Sequence, residues 1–392
     1  MTDLPERHPA HLIDAFAAAD GPPPDRLVPF MLWALRGAMP VLWVAGCLSA
    51  LVGTLEVVAA LLLGRIIDTA LATGAETFFA QNTAILIGAA AFFVLVRPVT
   101  FGVNAAATGM VVQPNVAPLV LSRLHRWTLG QAVGFFDDDF AGRIAQKQMQ
   151  ASNALTDVVA EIINVFFFAL ASVIGAAVML SAIDPRIAAA LTLWLIGYLA
   201  LISWFMPRIR SRSKARANAR SNVSGQVVDT ITNIKTVKLF AHAEHEDEAA
   251  LRAMGAFRHR AVRFGEMAAT CRTALMTIAG LLPVLLIGGT LALWADGIAT
   301  AGDIAAAGAI SIRIAQMTGW VSFTFMGIYA NVGEVEDGMR TLARAWSLTD
   351  RPGAPDLPPA TGHVDFDDVT FTYGRGTGGV QGVTLTIQPG EK

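Results

Sequence analysis

Apolar positions run along this chain in six long stretches: Pro40–Gly64, Thr83–Asn104, Ile162–Ile183, Ile187–Met206, Ala274–Trp294 and Ile304–Tyr329. Each is close to the about 20 residues that an α-helix needs to cross a bilayer. They are apolar all round rather than on one stripe, which sets them apart from the amphipathic helices of a soluble protein. Two of them, the second and the sixth, are interrupted by Arg97 and Arg313. The pattern predicts an all-α membrane domain with six transmembrane helices.

Two of the intervening stretches, roughly 105–161 and 207–273, are long but not loop-like. They lack Pro/Gly clusters and are rich in Ala, Arg, Glu and Gln, good helix formers. At 1.5 Å per residue, a run of about 25 such residues reaches nearly 40 Å beyond the bilayer. The helices are therefore expected to continue out of the membrane and turn back at two tips. The first tip is Gly134–Arg143, where Phe135, Phe136 and Asp137–Asp139 precede Gly142. The second is Val228–Phe240, whose β-branched residues are weak helix formers. Apolar residues at an exposed tip need a cover, which is either their own mutual packing or a separate soluble domain docked on them.

A second region begins near the C-terminus. Residues 346–361 contain Pro352, Gly353, Pro355, Pro358 and Pro359, a linker composition. Val364, Phe366, Val369, Phe371 and Tyr373 then alternate as strand residues, with a phase slip at Asp367 and Asp368, and Val383, Leu385 and Ile387 alternate again. The glycine-rich run between them lacks a Gly-Lys-Ser/Thr ending and joins two strands, so it reads as a hairpin loop and not a phosphate loop. About 30 residues cannot bury a core of their own. The resulting division is 1–37, an N-terminal segment; 38–345, the membrane domain; 346–361, the linker; and 362–392, the start of a further domain.

Composition narrows the class. The chain is 54% hydrophobic and 15% charged, and its mean hydropathy is +0.51, which excludes a disordered chain and argues against a soluble enzyme. A net charge of −2 offers no global attraction for nucleic acid. Cys47 and Cys271 build neither a disulfide framework nor a zinc site. The N-terminus is not a secretory signal: Asp3, Glu6 and Asp14 replace a basic start, and Gly21–Pro24 break it. His242 and His245, with Glu244 and Glu246, read as a solvated helix face, so no metal is expected.

Charge also sets orientation. Arg123, Arg126, Arg143 and Lys147 follow the second stretch, and a dozen basic residues from Arg208 to Arg263 follow the fourth, while Ala295–Asp303 has none. The positive-inside rule makes those regions, and both termini, cytoplasmic. Ionisable residues at membrane depth face a cavity or a partner. Glu56, Arg97, Arg313 and Gln316 are such residues, and Arg313 and Gln316 share a helix face. Asn104 and Asn164 stand nearer the inner ends. Pairing of Glu56 with Arg97 or Arg313 and contact with a substrate are equally open readings of this set.

Four places together resemble the ATP-binding cassette exporters with six helices per half, the group of lipid A flippases, multidrug exporters and mitochondrial-type exporters. Phe135-Phe136-Asp137 with Gly142-Arg143 is similar to the family's first cytoplasmic turn, and Asn233–Phe240 with Glu244 and Glu246 to its second. Asp184-Pro185 resembles the tight outer turn between helices three and four, and Gly362–Tyr373 the opening strands of an α/β nucleotide-binding domain. The likeness covers about residues 30–392. It implies an exporter half working with a second copy, ATP and Mg²⁺, in a bacterial inner membrane, by alternating access. It implies that Tyr373 stacks on adenine. Phe136, Asp137 and Gly142, and Thr230, Asn233 and Thr236, would lie in coupling turns that press on the nucleotide-binding domains. No catalytic residue is expected before Lys392, so residues 1–392 by themselves are not expected to hydrolyse ATP. The implied substrate is a lipid or an amphipathic drug-like molecule, with a glutathione-linked or other anionic conjugate as the alternative. A membrane module that only docks a partner ATPase is the rival class.

Overall fold

A computed structural model describes residues 8–137, 141–240, 243–349, 351, 353–355, 362–372 and 378–391. The chain divides into two units, Met1–Ala345 and Trp346–Lys392. The first contains six helices long and apolar enough to cross a membrane. They are α2 (Met39–Thr73), α3 (Thr83–Leu129), α5 (Arg143–Ile183), α6 (Pro185–Thr232), α8 (Ala243–Ala295) and α9 (Ala301–Leu342). A short helix α1 (Leu27–Leu35) precedes them, α4 (Val133–Asp137) follows α3, and α7 (Ile234–Leu239) joins α6 to α8.

The helices extend well beyond the apolar stretches. At 1.5 Å per residue, the 48 residues of α6 make a rod of about 72 Å. A bilayer core of about 30 Å accounts for less than half of it. α6 and α8 pair antiparallel along their length. Arg212 Nη1 donates to the Arg263 carbonyl at 2.8 Å, and the Trp194 indole donates to the Ile278 carbonyl at 2.6 Å. The second tip is more helical than the β-branched residues suggest: α6 runs unbroken through Val228–Thr232, and the interruption narrows to Asn233. Propensity differences of a few tenths of a kcal/mol per residue yield here to side-chain bonds. Thr230 Oγ1 bonds the Gln226 carbonyl and Glu246 Oε2, at 2.9 and 3.0 Å.

At the opposite end of the bundle the turns are tight. Asp184 caps α6 by accepting from the Arg186 amide at 2.7 Å, which explains why Asp-Pro starts a helix there. Thr300 and Asp303 form a capping box at the start of α9. Asp68, at the end of α2, joins this cap: it accepts from the Gly302 amide and the Thr300 hydroxyl, both at 2.7 Å. Gly64 and Gly302 make the close approach possible, since a Cβ on Gly64 would stand 2.6 Å from the Gly302 carbonyl oxygen.

At the basic end the N-terminal segment is tied to α3 by a buried arginine. Arg123, 4% exposed, donates to the carbonyls of Ala17, Trp33, Ala34 and Arg36 at 2.7–3.1 Å. Three of those carbonyls are at the C-terminal end of α1, where a helix leaves carbonyls short of intrahelical donors; that of Trp33 also accepts from the Arg36 amide at 3.4 Å. Lys147 of α5 reaches Asp337 of α9 at 2.9 Å beside them. One large core joins α1, α3, α5 and the C-terminal part of α9; a second joins α2, α5, α6, α8 and the rest of α9. Half of the apolar window of α9 is buried, against 6% for α3, so α9 is the central post and α3 a peripheral one.

The second unit holds an antiparallel pair, β1 (Val364–Thr372) and β2 (Gly379–Ile387). The register shifts between Phe366 and Val369, where Asp368 takes φ +46°. That bulge is the physical form of the phase slip in the sequence.

Candidate functional site

Three helices bring one polar face each to a common point in the membrane domain. On α2, Ser49, Val52 and Glu56 stand at helical spacing; on α3, Arg97, Phe101, Asn104 and Thr108; on α9, Arg313, Gln316, Met317 and Trp320. Glu56 is at the centre. Its Oε1 accepts from Arg97 Nε and Nη2 at 3.1 and 2.8 Å. Its Oε2 lies 3.2 Å from Arg313 Nε; this contact is an ion pair without hydrogen-bond alignment. The Glu56 side chain is 7% exposed and the two arginines about a third exposed. The pairing and cavity-facing readings of these residues are thus not exclusive, because one carboxylate serves both arginines and each guanidinium keeps an open side.

The cluster carries one negative and two positive groups, a formal excess of one positive charge. It stands between two concavities that Arg313 and Gln316 both line. One, of about 360 Å³, is walled by Phe101, Phe168, Met317 and Trp320, with Ser49, Asn104 and Asn164 as polar points. The other, of about 300 Å³, is lined by Glu56, Leu63, Phe93 and Ile312. Phe168 and Trp320 meet edge to face at 6.2 Å, and Arg313 lies 6.0 Å from the Phe168 ring centre. Among the described residues, Ser49 Oγ and Asn104 Oδ1 are buried without a hydrogen-bond partner. Both therefore have bonding capacity to offer an occupant.

Helical irregularity places several of these residues. α3 carries π-helical stretches at Phe92–Val96 and Ala107–Val112, and α5 one at Ile162–Phe167. Each widens a turn next to the cavity. They seat Arg97 opposite Glu56 and bring Asn164 Oδ1 to accept from Thr108 Oγ1 at 3.1 Å. Phe101 and Phe168 were not singled out in the sequence, where apolar aromatics in apolar stretches give no signal. Arg123 read there only as a topology charge.

The other predicted positions lie apart from this cavity. Thr230, Asn233 and Thr236 line a small recess of about 170 Å³ at the α6–α7–α8 tip. Around it Val228, Ile231 and Leu239 are 63%, 64% and 81% exposed. At the first tip Phe136 is 37% exposed and meets Phe135 edge to face at 5.3 Å. Asp137 ends α4, and Gly142 stands at the start of the next helix. Tyr373 and His242 lie outside the described residues.

A family model for the ABC transporter transmembrane region matches residues 42–316. The chain belongs to this family. It is 29% identical over 374 residues, 94% of its length, to an uncharacterized ABC transporter ATP-binding protein of Haemophilus influenzae, and covers 60% of that protein. It is 26% identical over 274 residues to the human ABC-type oligopeptide transporter ABCB9, covering 68% of this chain and 35% of the relative. A solved structure of a bacterial Atm1-family ABC exporter with ATP bound shares the fold, with a TM-score of 0.71 at 15% identity, over 90% of this chain and 62% of the other. The chain thus spans about 60% of the Haemophilus relative's length. It is a multi-pass member of the ABC transporter transmembrane family, with six helices long and apolar enough to cross a membrane.

Proposed function

We propose that this chain forms half of an ATP-driven exporter for an amphipathic molecule that bears an anionic group. The observation that carries the reading is the shared Glu56 carboxylate, which leaves one guanidinium's worth of charge unmatched at membrane depth beside an aromatic wall. Charge at that depth is retained where it serves binding or transport. The aromatic and apolar wall of Phe101, Phe168, Met317 and Trp320 suits the hydrophobic part of such a molecule, and Arg313 with Gln316 suits its anion. A lipid, a glutathione-linked conjugate and a peptide carboxylate all have this chemistry.

In this reading the basic end is cytoplasmic, the membrane is the bacterial inner membrane, and a second half, an identical copy, completes the cavity. The tips at Phe136–Gly142 and Thr230–Thr236 receive the nucleotide-binding domains, where ATP and Mg²⁺ bind. Their exposed apolar residues support this, because a knob bearing Ile231 and Leu239 is costly to leave in water. The α6–α8 pair is the lever. Closure of the soluble domains around ATP moves the tips, and rods of about 70–80 Å, helical throughout although each holds one internal proline (Pro207, Pro283), carry that motion to the cavity.

The test is ATPase activity of the full-length protein in liposomes, titrated with anionic amphiphiles and with their neutral methyl esters. Stimulation by the anions, lost in Arg313→Ala, is expected. Equal stimulation by the neutral esters would remove the anionic requirement and leave a purely hydrophobic substrate.

A further inference from the structure

Two buried polar atoms of the larger cavity lack a partner, and their setting makes that unusual. Buried hydroxyls in the helices of this chain turn back on their own backbone. Thr290 Oγ1 donates to the Leu286 carbonyl at 2.7 Å, Ser311 Oγ to that of Gly308 at 2.8 Å and Thr318 Oγ1 to that of Ile314 at 2.9 Å. Such back-bonding is the ordinary refuge of a hydroxyl in an apolar helix. Ser49, 1% exposed, does not take it. Among the described residues, its Oγ and Asn104 Oδ1 are buried without a hydrogen bond, and both residues line the cavity of about 360 Å³. Asn164, on the same wall, has its Oδ1 occupied by the Thr108 hydroxyl at 3.1 Å, so what it has left to give is N–H.

Position adds a dimension. Ser49 is seven residues from Glu56 on α2, Asn104 seven from Arg97 on α3 and Trp320 seven from Arg313 on α9. Seven residues of helix are two turns, about 10 Å. In all three helices the step runs from the ion cluster toward the basic end. The cavity therefore has two polar levels. Arg313, with its open guanidinium side, stands at one, and Ser49, Asn104 and Asn164 stand at the other. Between them the wall is mostly apolar, with Val52, Phe101, Phe168 and Met317.

A buried acceptor left unmet has lost its water and gained nothing. The second level favours an occupant with one group that donates to Asn104 Oδ1 and accepts from Ser49 or Asn164. A carboxylate or phosphate anion only accepts, and an ammonium only donates. A hydroxyl does both, and it serves whichever way an asparagine amide is turned.

We propose that the transported molecule carries, besides its anion, a hydroxyl about 10 Å away across an apolar body, and that Ser49, Asn104 and Asn164 read that hydroxyl. This rests on the exporter reading, in which Arg313 holds the anion, and adds a second contact at a fixed spacing.

The experiment is isothermal titration calorimetry of the full-length protein in detergent, with decanoate, ω-hydroxydecanoate and β-hydroxydecanoate as probes. With the carboxylate on Arg313, the ω-hydroxyl reaches the second level and the β-hydroxyl does not. The ω-hydroxy acid is expected to bind about five- to tenfold more tightly than the other two, the worth of one net hydrogen bond. Asn104→Leu is expected to bring it down to the level of decanoate. Ser49→Ala, a smaller change, is expected to diminish the preference and keeps the test valid should Asn104→Leu fold poorly. Partition into detergent is common to all variants, and the preference is a ratio within each. Equal affinities of the three probes, or a preference that survives both substitutions, would overturn the proposal; the first would mean that water satisfies the second level. Arg313→Ala is expected to weaken all three probes by the same factor. Unchanged affinities in that variant would overturn the anion reading alone, since the hydroxyl preference is measured without it.

Discussion

Glu56 sits at the head of an asymmetric arrangement. It alone neutralises Arg97 and Arg313, whereas each arginine shares its partner. Glu56→Gln therefore leaves two adjacent cations in a low-dielectric site, while Arg97→Gln leaves the carboxylate paired. Breaking a fully buried pair costs about 3–5 kcal/mol. With a third of each guanidinium exposed, screening brings the expected loss for Glu56→Gln to about 2 kcal/mol, and Arg97→Gln is expected to lose less than half of that. Thermal unfolding of the two variants in detergent measures the order; equal losses would mean that the cluster is not centred on the carboxylate. The elements of this cluster are legible in the sequence, where Glu56, Arg97 and Arg313 stand out as charges in apolar runs. Their joint contact is not, because nothing in three separate stretches states which helices are neighbours.

At the scale of the element, the crossing of α2 and α9 depends on backbone approach. A Cβ on Gly302 would clash with the Gly64 carbonyl and the Asp68 carboxylate, and around Gly88 there is open space. Gly302→Ala is expected to cost about 1–3 kcal/mol by overpacking. Gly88→Ala is expected to be neutral or to stabilise by up to about 1 kcal/mol through helix propensity. Opposite signs in the unfolding midpoint check the pair. Arg123 supports a second element. Arg123→Met removes four hydrogen bonds to the N-terminal segment and is expected to expose Arg26 and Arg36 to trypsin, with faster release of the first 36 residues than in the wild type. Equal cleavage rates would show that the apolar contacts of Phe30 and Trp33, with the bonds from Asn115, Ser122 and Arg126, hold the segment without Arg123. Neither role follows from residue type: a glycine in an apolar helix and an arginine after one are ordinary there.

At the scale of the molecule, the distance between cavity and tip is what needs explaining. α6 and α8 are continuous over 48 and 53 residues and touch each other along most of that length. Leu239 at their far end is 81% exposed. In the full-length protein, Leu239→Asp is expected to leave the unfolding midpoint of the membrane domain unchanged and to reduce substrate-stimulated ATPase several-fold. A full response in that variant would remove the tip from the coupling path. At the first tip Phe136 is 37% exposed, against 81% for Leu239, so a weaker effect is expected of Phe136→Asp in the same assay.

Six spans, two long helical excursions beyond the bilayer and a terminal hairpin with a bulge all follow from local pattern. Hydrophobic length and strand alternation are properties of neighbouring residues, and the bilayer demands them whatever the fold. What tertiary structure alone decided is which faces meet. The π-helical turns of α3 and α5 shift register by a residue that no periodicity encodes. Asp68 finds the start of a helix 232 positions away through its bond to Thr300. Arg212 of α6 meets the Arg263 carbonyl of α8 because the rods run antiparallel in a particular register. Contacts between distant segments depend on the packing of the whole bundle, and a linear pattern carries no record of it.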